Sequence, residues 1–230
     1  MKKGLLTLAL VAGSLLSAQA DDHLTALLKP GNAVLGIQLK NATEDEYTAF
    51  QMDVTLPDGM TLDVAEGADP ATAITLLRGA STAGHKVFAN VTDEGILKIV
   101  AFSASSYEEG ATITNGNQPF TGKKGDMLLI KVNTEPTCKP SELIVDKIEY
   151  VKTTGLEATQ LATTAVGKLG DATLDDKVTT DDALLVIKRF LNKATLTPIQ
   201  EEMSDITGDE RVTTDDATSI IKVFLNKYTE

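Results

Sequence analysis

The chain contains two regions that differ in the spacing of their apolar residues. From about residue 33 to residue 166, apolar and polar residues alternate in short runs, and residues 50–56 show this alternation most clearly. A period of two is typical of β-strands that bury one face. After Asp182 the apolar residues recur at steps of one, three and four, which is typical of amphipathic helices. The pattern therefore predicts a β domain followed by a helical domain.

The alternating region is predicted to form a β-sandwich of about 130 residues. Turn residues separate its strands, as in 57–59 and 93–95, and a short helix is expected over 71–77. The last strand and a short linker are expected within 153–168. The predicted strands are 33–40, 50–56, 60–64, 86–91, 96–103, 127–132 and 143–151.

The helical region contains a stretch of about 23 residues that occurs twice, as 171–193 and 205–227, with 15 of the 23 aligned positions identical. Each copy places oxygen-bearing side chains at positions 1, 3, 5, 9 and 12 of a loop and then begins a helix. This is the layout of a calcium loop. Between the copies, Thr197 followed by Pro198 predicts a short helix over 198–203.

Each loop offers six candidate calcium ligands if position 7 contributes its backbone carbonyl, and calcium takes about six to eight oxygens. In loop 1 (171–182) the candidates are Asp171, Thr173, Asp175, Lys177, Thr179 and Asp182. In loop 2 (205–216) they are Asp205, Thr207, Asp209, Arg211, Thr213 and Asp216. Two calcium sites are therefore predicted. The alternative, that these are acidic turns without a metal, stays open.

Composition and charge narrow the functions further. The chain has 21 Lys and Arg against 33 Asp and Glu, a formal net charge of -12, which disfavours a nucleic-acid partner and suits divalent cations. The single Cys138 cannot form an internal disulfide, and His23 and His85 have no partner at metal-ligand spacing. Residues 1–20 combine two lysines, a short apolar run and Ala-Gln-Ala. They are predicted to be a secretory signal peptide and not a membrane span.

The repeat resembles the type I dockerin, a family with two F-hand calcium loops that each precede a helix and pack with near two-fold symmetry. The resemblance covers about 170–227 and implies a cohesin partner. Dockerins contact cohesins through loop positions 10 and 11 and through exposed helix residues. The corresponding residues here are Thr180, Asp181, Lys188, Arg189, Thr214, Asp215 and Lys222. Because the two copies of the repeat are nearly identical, the resemblance implies that a cohesin can bind either copy. A solvated helix start remains the simpler alternative for these residues.

The loops depart from the dockerin pattern at two positions. Position 3 is Thr in both loops, where the family usually has Asn or Asp. Position 6, usually Gly, is Asp176 in loop 1 and Glu210 in loop 2. Asp tolerates a left-handed backbone better than Glu, so we expect weak calcium binding, especially in loop 2. At position 8, Val178 and Val212 are predicted to form a small β-bridge between the loops.

The region before the dockerin is similar to cohesin-like β-sandwich modules with a jelly-roll architecture, through segments such as 47–62, 95–103 and 125–132. The predicted domains are therefore a signal peptide (1–20), a mainly β sandwich (21–166) and a small all-α dockerin (167–230).

The expected function is non-catalytic assembly of secreted proteins at or outside the bacterial cell surface, with polysaccharide breakdown implied by the resemblance alone. No pair of carboxylates suggests a glycosidase, although an unrecognised catalytic site in the sandwich stays open. Trp is absent, and Phe50, Phe88 and Phe102 are predicted to be core residues, so protein binding is favoured over sugar binding. A carbohydrate-binding sandwich and a dockerin that packs against its own sandwich remain alternatives.

Overall fold

The computed structural model describes residues 22–41, 45–78, 84–104, 118–122, 125–154 and 157–228. The predicted signal peptide, 1–20, lies outside these residues. Within them the chain forms strands up to Lys168 and helices from Thr180 onward. The strands are β1 (His23–Leu28), β2 (Val34–Lys40), β3 (Tyr47–Thr55), β4 (Met60–Leu62), β5 (Ile74–Leu76), β6 (His85–Val91), β7 (Ile96–Ser103), β8 (Asp126–Thr134), β9 (Ile144–Lys152), β10 (Ala158–Gln160) and β11 (Thr163–Lys168). The helices are α1 (Thr180–Phe190), α2 (Pro198–Ser204) and α3 (Thr214–Phe224).

The strands form two sheets that enclose one core. The first sheet has the order β11-β1-β2-β8-β4, with β5 also paired to β8, and the second has the order β10-β9-β3-β7-β6. Their neighbouring strands are antiparallel except for β1 and β11, which are parallel. Apolar side chains from both sheets, such as Ile37, Met52, Ile99 and Tyr150, are buried between them. The predicted β-sandwich followed by helices is confirmed.

The alternation located most strands within a few residues but missed β1. This strand pairs with β2 on one side and with β11 on the other, so it is central to the first sheet. Its sequence, His23–Leu28, is almost entirely buried and carries no turn residue that marks its start. The helix predicted over 71–77 is a 3-10 turn, Pro70–Ala73, followed by β5.

The prediction that Phe88 and Phe102 belong to the core is wrong. Both are exposed, at 54% and 38%, on the outer face of the second sheet, while Phe50 is 2% exposed and does lie in the core. In β7 the inward residues are Leu97, Ile99 and Ala101, so Phe102 points outward. A period of two fixes which residues share a face but not which face becomes the interior.

The helical unit shares a second core with the sandwich. Equivalent residues of α1 and α3, Ala183 with Ala217 and Val186 with Ile220, are buried together, and the sandwich residue Leu27 joins them. The other buried members of this cluster are Ala165, Leu169, Ala172, Met203 and Ile206. The two parts of the chain are therefore packed together by apolar contact.

Polar contacts support the same packing. The N–H of Gly170 donates to the carbonyl of Met203 at 2.8 Å, and Lys40 of β2 forms an ion pair with Glu202 of α2 at 2.5 Å. The predicted domain boundary, between residues 166 and 167, falls inside β11. Gly167 has φ +152°, and a Cβ built there would lie 2.8 Å from Met203 Cε. The absence of a side chain at Gly167 thus permits close packing of α2 on β11.

No helix in the described ranges is both long enough and apolar enough to cross a membrane.

Candidate metal centres

The carboxylates at positions 1 and 12 organise loop 1. Asp171 accepts the backbone N–H groups of Asp175 at 3.0 Å and Asp176 at 2.7 Å. Asp182 is fully buried, and its Oδ1 accepts both the N–H and the hydroxyl of Thr173 at 2.8 Å. The same hydroxyl lies 3.4 Å from Asp171 Oδ1. Oxygens from positions 1, 3 and 12 therefore converge.

Loop 2 repeats this arrangement. Asp205 accepts the N–H groups of Asp209 at 3.1 Å and Glu210 at 2.7 Å. Asp216 is fully buried, and its Oδ1 accepts the N–H of Thr207 at 3.1 Å and the hydroxyl at 2.8 Å. One carboxylate oxygen from each of Asp205, Asp209 and Asp216 lies within 4.8 Å of the other two. The structure thus brings together the predicted acidic residues at positions 1, 5 and 12.

Each loop is joined to its helix by a capping box. The N-caps are Thr179 and Thr213, at loop position 9, and the N3 residues are Asp182 and Asp216, at position 12. Asp182 Oδ2 accepts the N–H of Thr179 at 2.7 Å, and Asp216 Oδ2 accepts the N–H of Thr213 at 2.8 Å. A capping box satisfies backbone donors that the first helical turn leaves unpaired. The last carboxylate of each loop therefore fixes the loop and starts the helix.

Positions 5 and 7 are also linked within each loop. Asp175 Oδ1 accepts the N–H of Lys177 at 3.0 Å, and Asp209 Oδ1 accepts the N–H of Arg211 at 2.9 Å. These bonds fix the N–H side of the residue at position 7, whose own carbonyl is the predicted backbone ligand.

Both loops use left-handed backbone at positions 4 and 6. In loop 1 these positions are Leu174 (φ 63°) and Asp176 (φ 65°), whereas in loop 2 they are Gly208 (φ 72°) and Glu210 (φ 65°). The sequence drew attention to position 6 but not to position 4. Left-handed backbone costs a residue with a Cβ about 1–2 kcal/mol, and Gly avoids this cost. Loop 1 therefore carries two such residues and loop 2 carries one.

The electrostatics of the loops fit a cation. Burial raises the pKa of Asp171 and of Asp205; neighbouring carboxylates add to the rise, while backbone N–H donors oppose it. Crowded, buried carboxylates repel one another, and a bound divalent cation would relieve that repulsion. The donors are all oxygens, which calcium prefers. The residues present therefore fit calcium, although the β-bridge predicted between Val178 and Val212 does not form; both side chains pack against the second core instead.

The predicted partner-contact residues lie on the outside of the helical unit. Six of them are exposed, in the first and last turns of α1 and α3: Thr180, Asp181, Lys188, Thr214, Asp215 and Lys222. The seventh, Arg189, is half-buried and pairs with Glu201 of α2 at 3.2 Å. The packing of the helical unit on the sandwich therefore leaves both copies accessible.

Exposed apolar residues accompany these polar positions. On α1 they include Leu184 and Ile187, and on α3 they include Phe224. The exposed Leu184 corresponds to the exposed Thr218 in the repeat, so the outer face of α1 is more apolar at this position. The helical stripe was visible in the sequence, but the stripe alone did not separate the buried positions from the exposed ones.

A contact that the sequence did not indicate joins loop 1 to the sandwich. The side chain of Asp176 accepts the N–H of Ser141 at 2.8 Å and its hydroxyl at 2.7 Å. Ser141 belongs to a 3-10 turn, Pro140–Glu142, that precedes β9. No local spacing relates two residues that are 35 positions apart, so only the folded chain shows this pair.

Comparison with known proteins agrees with this architecture. Residues 169–225 match the family model of the dockerin type I domain, which is a calcium-binding domain. The predicted C-terminal dockerin is thereby confirmed. A comparison with curated proteins gave no match.

The similar solved structures are cohesin modules. A type I cohesin–dockerin complex from Clostridium thermocellum aligns at 11% identity and a TM-score of 0.41, over 63% of this chain and 95% of that chain. A type II cohesin domain from the cellulosome of Acetivibrio cellulolyticus aligns at 15% identity and 0.40, over 63% and 91%. A non-cellulosomal cohesin from the archaeon Archaeoglobus fulgidus aligns at 14% identity and 0.38, over 63% and 86%.

Proposed function

We propose that this protein is a non-catalytic assembly component whose dockerin binds a cohesin-type module in a calcium-dependent way. One observation carries the proposal: both loops bring oxygen donors together at calcium-loop spacing, through Thr173 and two carboxylates in loop 1 and through three carboxylates in loop 2. Both loops continue directly into helices whose exposed surfaces carry the predicted contact residues. Dockerin and cohesin-like folds are interaction modules, which supports binding as the function.

Two calcium ions are part of this proposal, one in each loop. The side chains at positions 1, 3, 5, 9 and 12 and the carbonyl at position 7 would hold them. Calcium would add positive charge where Asp171 and Asp182, or Asp205 and Asp216, face each other. These residues already orient the first turn of each helix through the capping boxes. A loop that calcium holds in place therefore fixes the position of the contact residues that come after it, on α1 or α3.

Both faces of the dockerin are proposed to be competent for the partner. The equivalent residues Thr180 and Thr214, and likewise Asp181 and Asp215, are exposed at the starts of α1 and α3. They differ in their apolar surroundings, since Leu184 is replaced by Thr218. A partner with an apolar groove would therefore prefer α1, and a more polar partner would accept either helix.

The direct test is capture of secreted and surface proteins by the full mature chain, with calcium and with chelator. The full chain is the right bait because Leu27 and Ala165 of the sandwich complete the core of the helical unit. A cohesin-containing protein that is captured only with calcium, and lost with the double variant Asp182→Ala/Asp216→Ala, would support the proposal. Capture that persists in chelator and in the double variant would contradict it.

Secretion and an extracellular setting are also part of the proposal. The charge, apolar run and Ala-Gln-Ala of residues 1–20 support cleavage before Asp21. N-terminal sequencing of the protein from culture medium or from the cell surface tests this. Mature protein that begins at Asp21 is expected, and an intact Met1 would refute the signal peptide.

A carbohydrate-binding sandwich is the second candidate, because the structure exposes an aromatic pair that was predicted to be buried. The rings of Phe88 and Phe102 are nearly parallel, with an interplanar angle of 13° and centroids 5.7 Å apart. Strand pairing places Phe88, Val100, Gln51, Glu149 and Gln160 in one row across the second sheet. Aromatic rings beside amide and carboxylate groups suit a sugar chain, which presents both C–H and O–H groups.

A glycan array with the full chain separates the two candidates. Binding that is lost in Phe88→Ala/Phe102→Ala and retained in Asp182→Ala/Asp216→Ala would assign sugar recognition to the sandwich. Both substituted phenylalanines are exposed, so the fold should persist in the first variant. An array without signal would leave the dockerin as the single binding module of the proposal.

A further inference from the structure

The contact between Ser141 and Asp176 joins the sandwich to a calcium loop through two hydrogen bonds. The backbone N–H of Ser141 donates to Asp176 Oδ1 at 2.8 Å, and its hydroxyl donates to Oδ2 at 2.7 Å. Both carboxylate oxygens of Asp176 are thereby used, and both donors come from one residue. A two-point contact of this kind fixes the orientation of the carboxylate as well as its position.

The sandwich side of this contact lacks a local partner. The 3-10 turn Pro140–Glu142 is preceded by Lys139, whose side chain makes no capping hydrogen bond. The first N–H groups of a helical turn have no partner within the turn and are normally capped by a nearby side chain. Asp176 supplies that acceptor from loop 1. The contact therefore satisfies a backbone donor of the sandwich.

The loop side of the contact is a strained position. Asp176 occupies loop position 6 with φ 65°, where calcium loops usually have Gly. Its backbone N–H donates to Asp171 Oδ2 at 2.7 Å, so the same residue holds the carboxylate at position 1. Position 6 supplies no calcium ligand, and its side chain is free to contact the sandwich while the loop holds the ion.

We propose that Ser141 is a positioning residue for calcium loop 1, holding Asp176 in the left-handed conformation that aligns Asp171 for the ion. The sandwich thus stabilises, at position 6 of loop 1, a left-handed backbone conformation that Gly adopts without strain in other calcium loops. This inference rests on the proposed calcium sites. Loop 2 is the internal comparison, since its position 6 is Glu210 and both hydrogen bonds of Ser141 go to loop 1.

The coupling acts in both directions. If contact with Ser141 raises the calcium affinity of loop 1, calcium in loop 1 must strengthen the contact by the same factor. Calcium would then hold the dockerin against its own sandwich as well as order its loops. The orientation of the exposed α1 surface relative to the sandwich would depend on calcium for that reason.

The test is a calcium titration of the full chain by isothermal calorimetry, with each loop measured separately. Asp205→Ala silences loop 2 and leaves loop 1 to be measured, and Asp171→Ala does the reverse. In the first background, Ser141→Ala is expected to weaken calcium binding about fivefold, since it removes a hydrogen bond to a carboxylate at the surface. Ser141→Thr, which keeps both donors, should restore the affinity. In the second background, Ser141→Ala should change nothing.

A second variant separates positioning from general stability. Asp176→Gly removes the strain and the contact together, so that loop 1 should bind calcium whether residue 141 is Ser or Ala. Without calcium, Ser141→Ala should speed hydrogen exchange at the loop 1 amides and leave the loop 2 amides unchanged. Equal weakening of both loops, or no weakening of loop 1, would overturn the inference. A wild-type chain that binds no calcium would instead refute the proposed function.

Discussion

The two loop–helix units share most of their sequence but differ in their surroundings. Both have the same capping box, the same carboxylate at position 1 and the same buried pair of apolar residues between α1 and α3. Loop 1, however, is bonded to the sandwich through Asp176 and Ser141. Loop 2 and the sandwich line a cleft together, and its lining includes Lys29 and Glu210. A duplicated sequence therefore gives two similar local structures, and the neighbouring domain meets each of them with different residues.

This comparison teaches that similar loops need not bind calcium equally. Leu174 and Asp176 place two strained residues in loop 1, whereas Glu210 is the strained residue of loop 2 beside Gly208. Backbone strain thus favours loop 2, and the contact with the sandwich favours loop 1. The sequence-based expectation that loop 2 is the weaker site stays a prediction. Four experiments test the comparison between the two units.

The largest effect is expected from the carboxylate at position 12, which the two units share. Asp182→Ala and Asp216→Ala each remove an acceptor for two backbone N–H groups and two hydroxyls. Each change should destabilise the dockerin by about 2–4 kcal/mol and abolish calcium binding in its own loop. Thermal unfolding and calorimetry measure both effects. Asp→Asn at the same positions, which keeps one acceptor oxygen, should have a smaller effect; equal losses would contradict this account.

The second-largest effect is expected from weakening the packing of the dockerin on the sandwich, which makes the two units unequal. Gly167→Ala adds a Cβ against Met203 at a backbone angle that Ala avoids, and we expect a loss of about 2 kcal/mol. Gly95→Ala is the matched control, because φ is +80° and no atom lies within 4 Å of the added Cβ. It should cost about 1 kcal/mol. Chemical denaturation compares them, and equal losses would show that close packing at Gly167 is unimportant.

Exchanging the residues at position 4 between the two loops should reverse the contribution of backbone strain to their calcium affinities. Leu174→Gly relieves left-handed backbone in loop 1, and Gly208→Leu introduces it in loop 2. We expect changes of about 0.5–1 kcal/mol in opposite directions, partly reduced by the greater freedom of Gly in the unfolded chain. Calcium titration of each single variant measures the shift. Loss of affinity in Leu174→Gly would show that the leucine side chain contributes more than its backbone strain.

The smallest effect concerns the residue that breaks the symmetry of the helices. Arg189→Val copies the equivalent Val223 and removes the ion pair with Glu201. Exposed ion pairs contribute little, so the stability should fall by less than about 0.5 kcal/mol. Partner binding is the more sensitive readout. If the captured cohesin distinguishes Arg189→Val from wild type by more than about tenfold, then α1 is the face that this partner reads.

Sequence patterns predicted the helical unit more completely than the sandwich. Period, spacing and capping residues are local, so the two acidic loops, the helices that follow them and the short α2 could all be located from the sequence. The calcium ligands within the loops stay a prediction. Most strands were also found, but β1 was not. Its apolar run has no alternation, because both of its faces are covered, one by the sandwich core and one by the helical unit through Leu27.

The sequence pattern also did not predict which face of each strand is buried. Phe88 and Phe102 obey the same alternation as Phe50, yet they lie outside and Phe50 lies inside. On β7 the core-facing residues are Leu97, Ile99 and Ala101, and Phe102 lies on the opposite face. Only the packing of one sheet on the other decides which side of such a strand is buried.

The sequence by itself determined the two acidic loops, the caps and the amphipathic helices, because each depends on residues within one or two turns of one another. The tertiary structure decided which strand faces are exposed, which core the helical unit joins and which loop the sandwich touches. Ser141 and Asp176 meet across 35 residues of chain, and Leu27 of the first strand joins the core of the helical unit. Contacts between distant segments depend on the sum of many weak packing energies from the whole chain. A local sequence pattern therefore cannot predict these contacts.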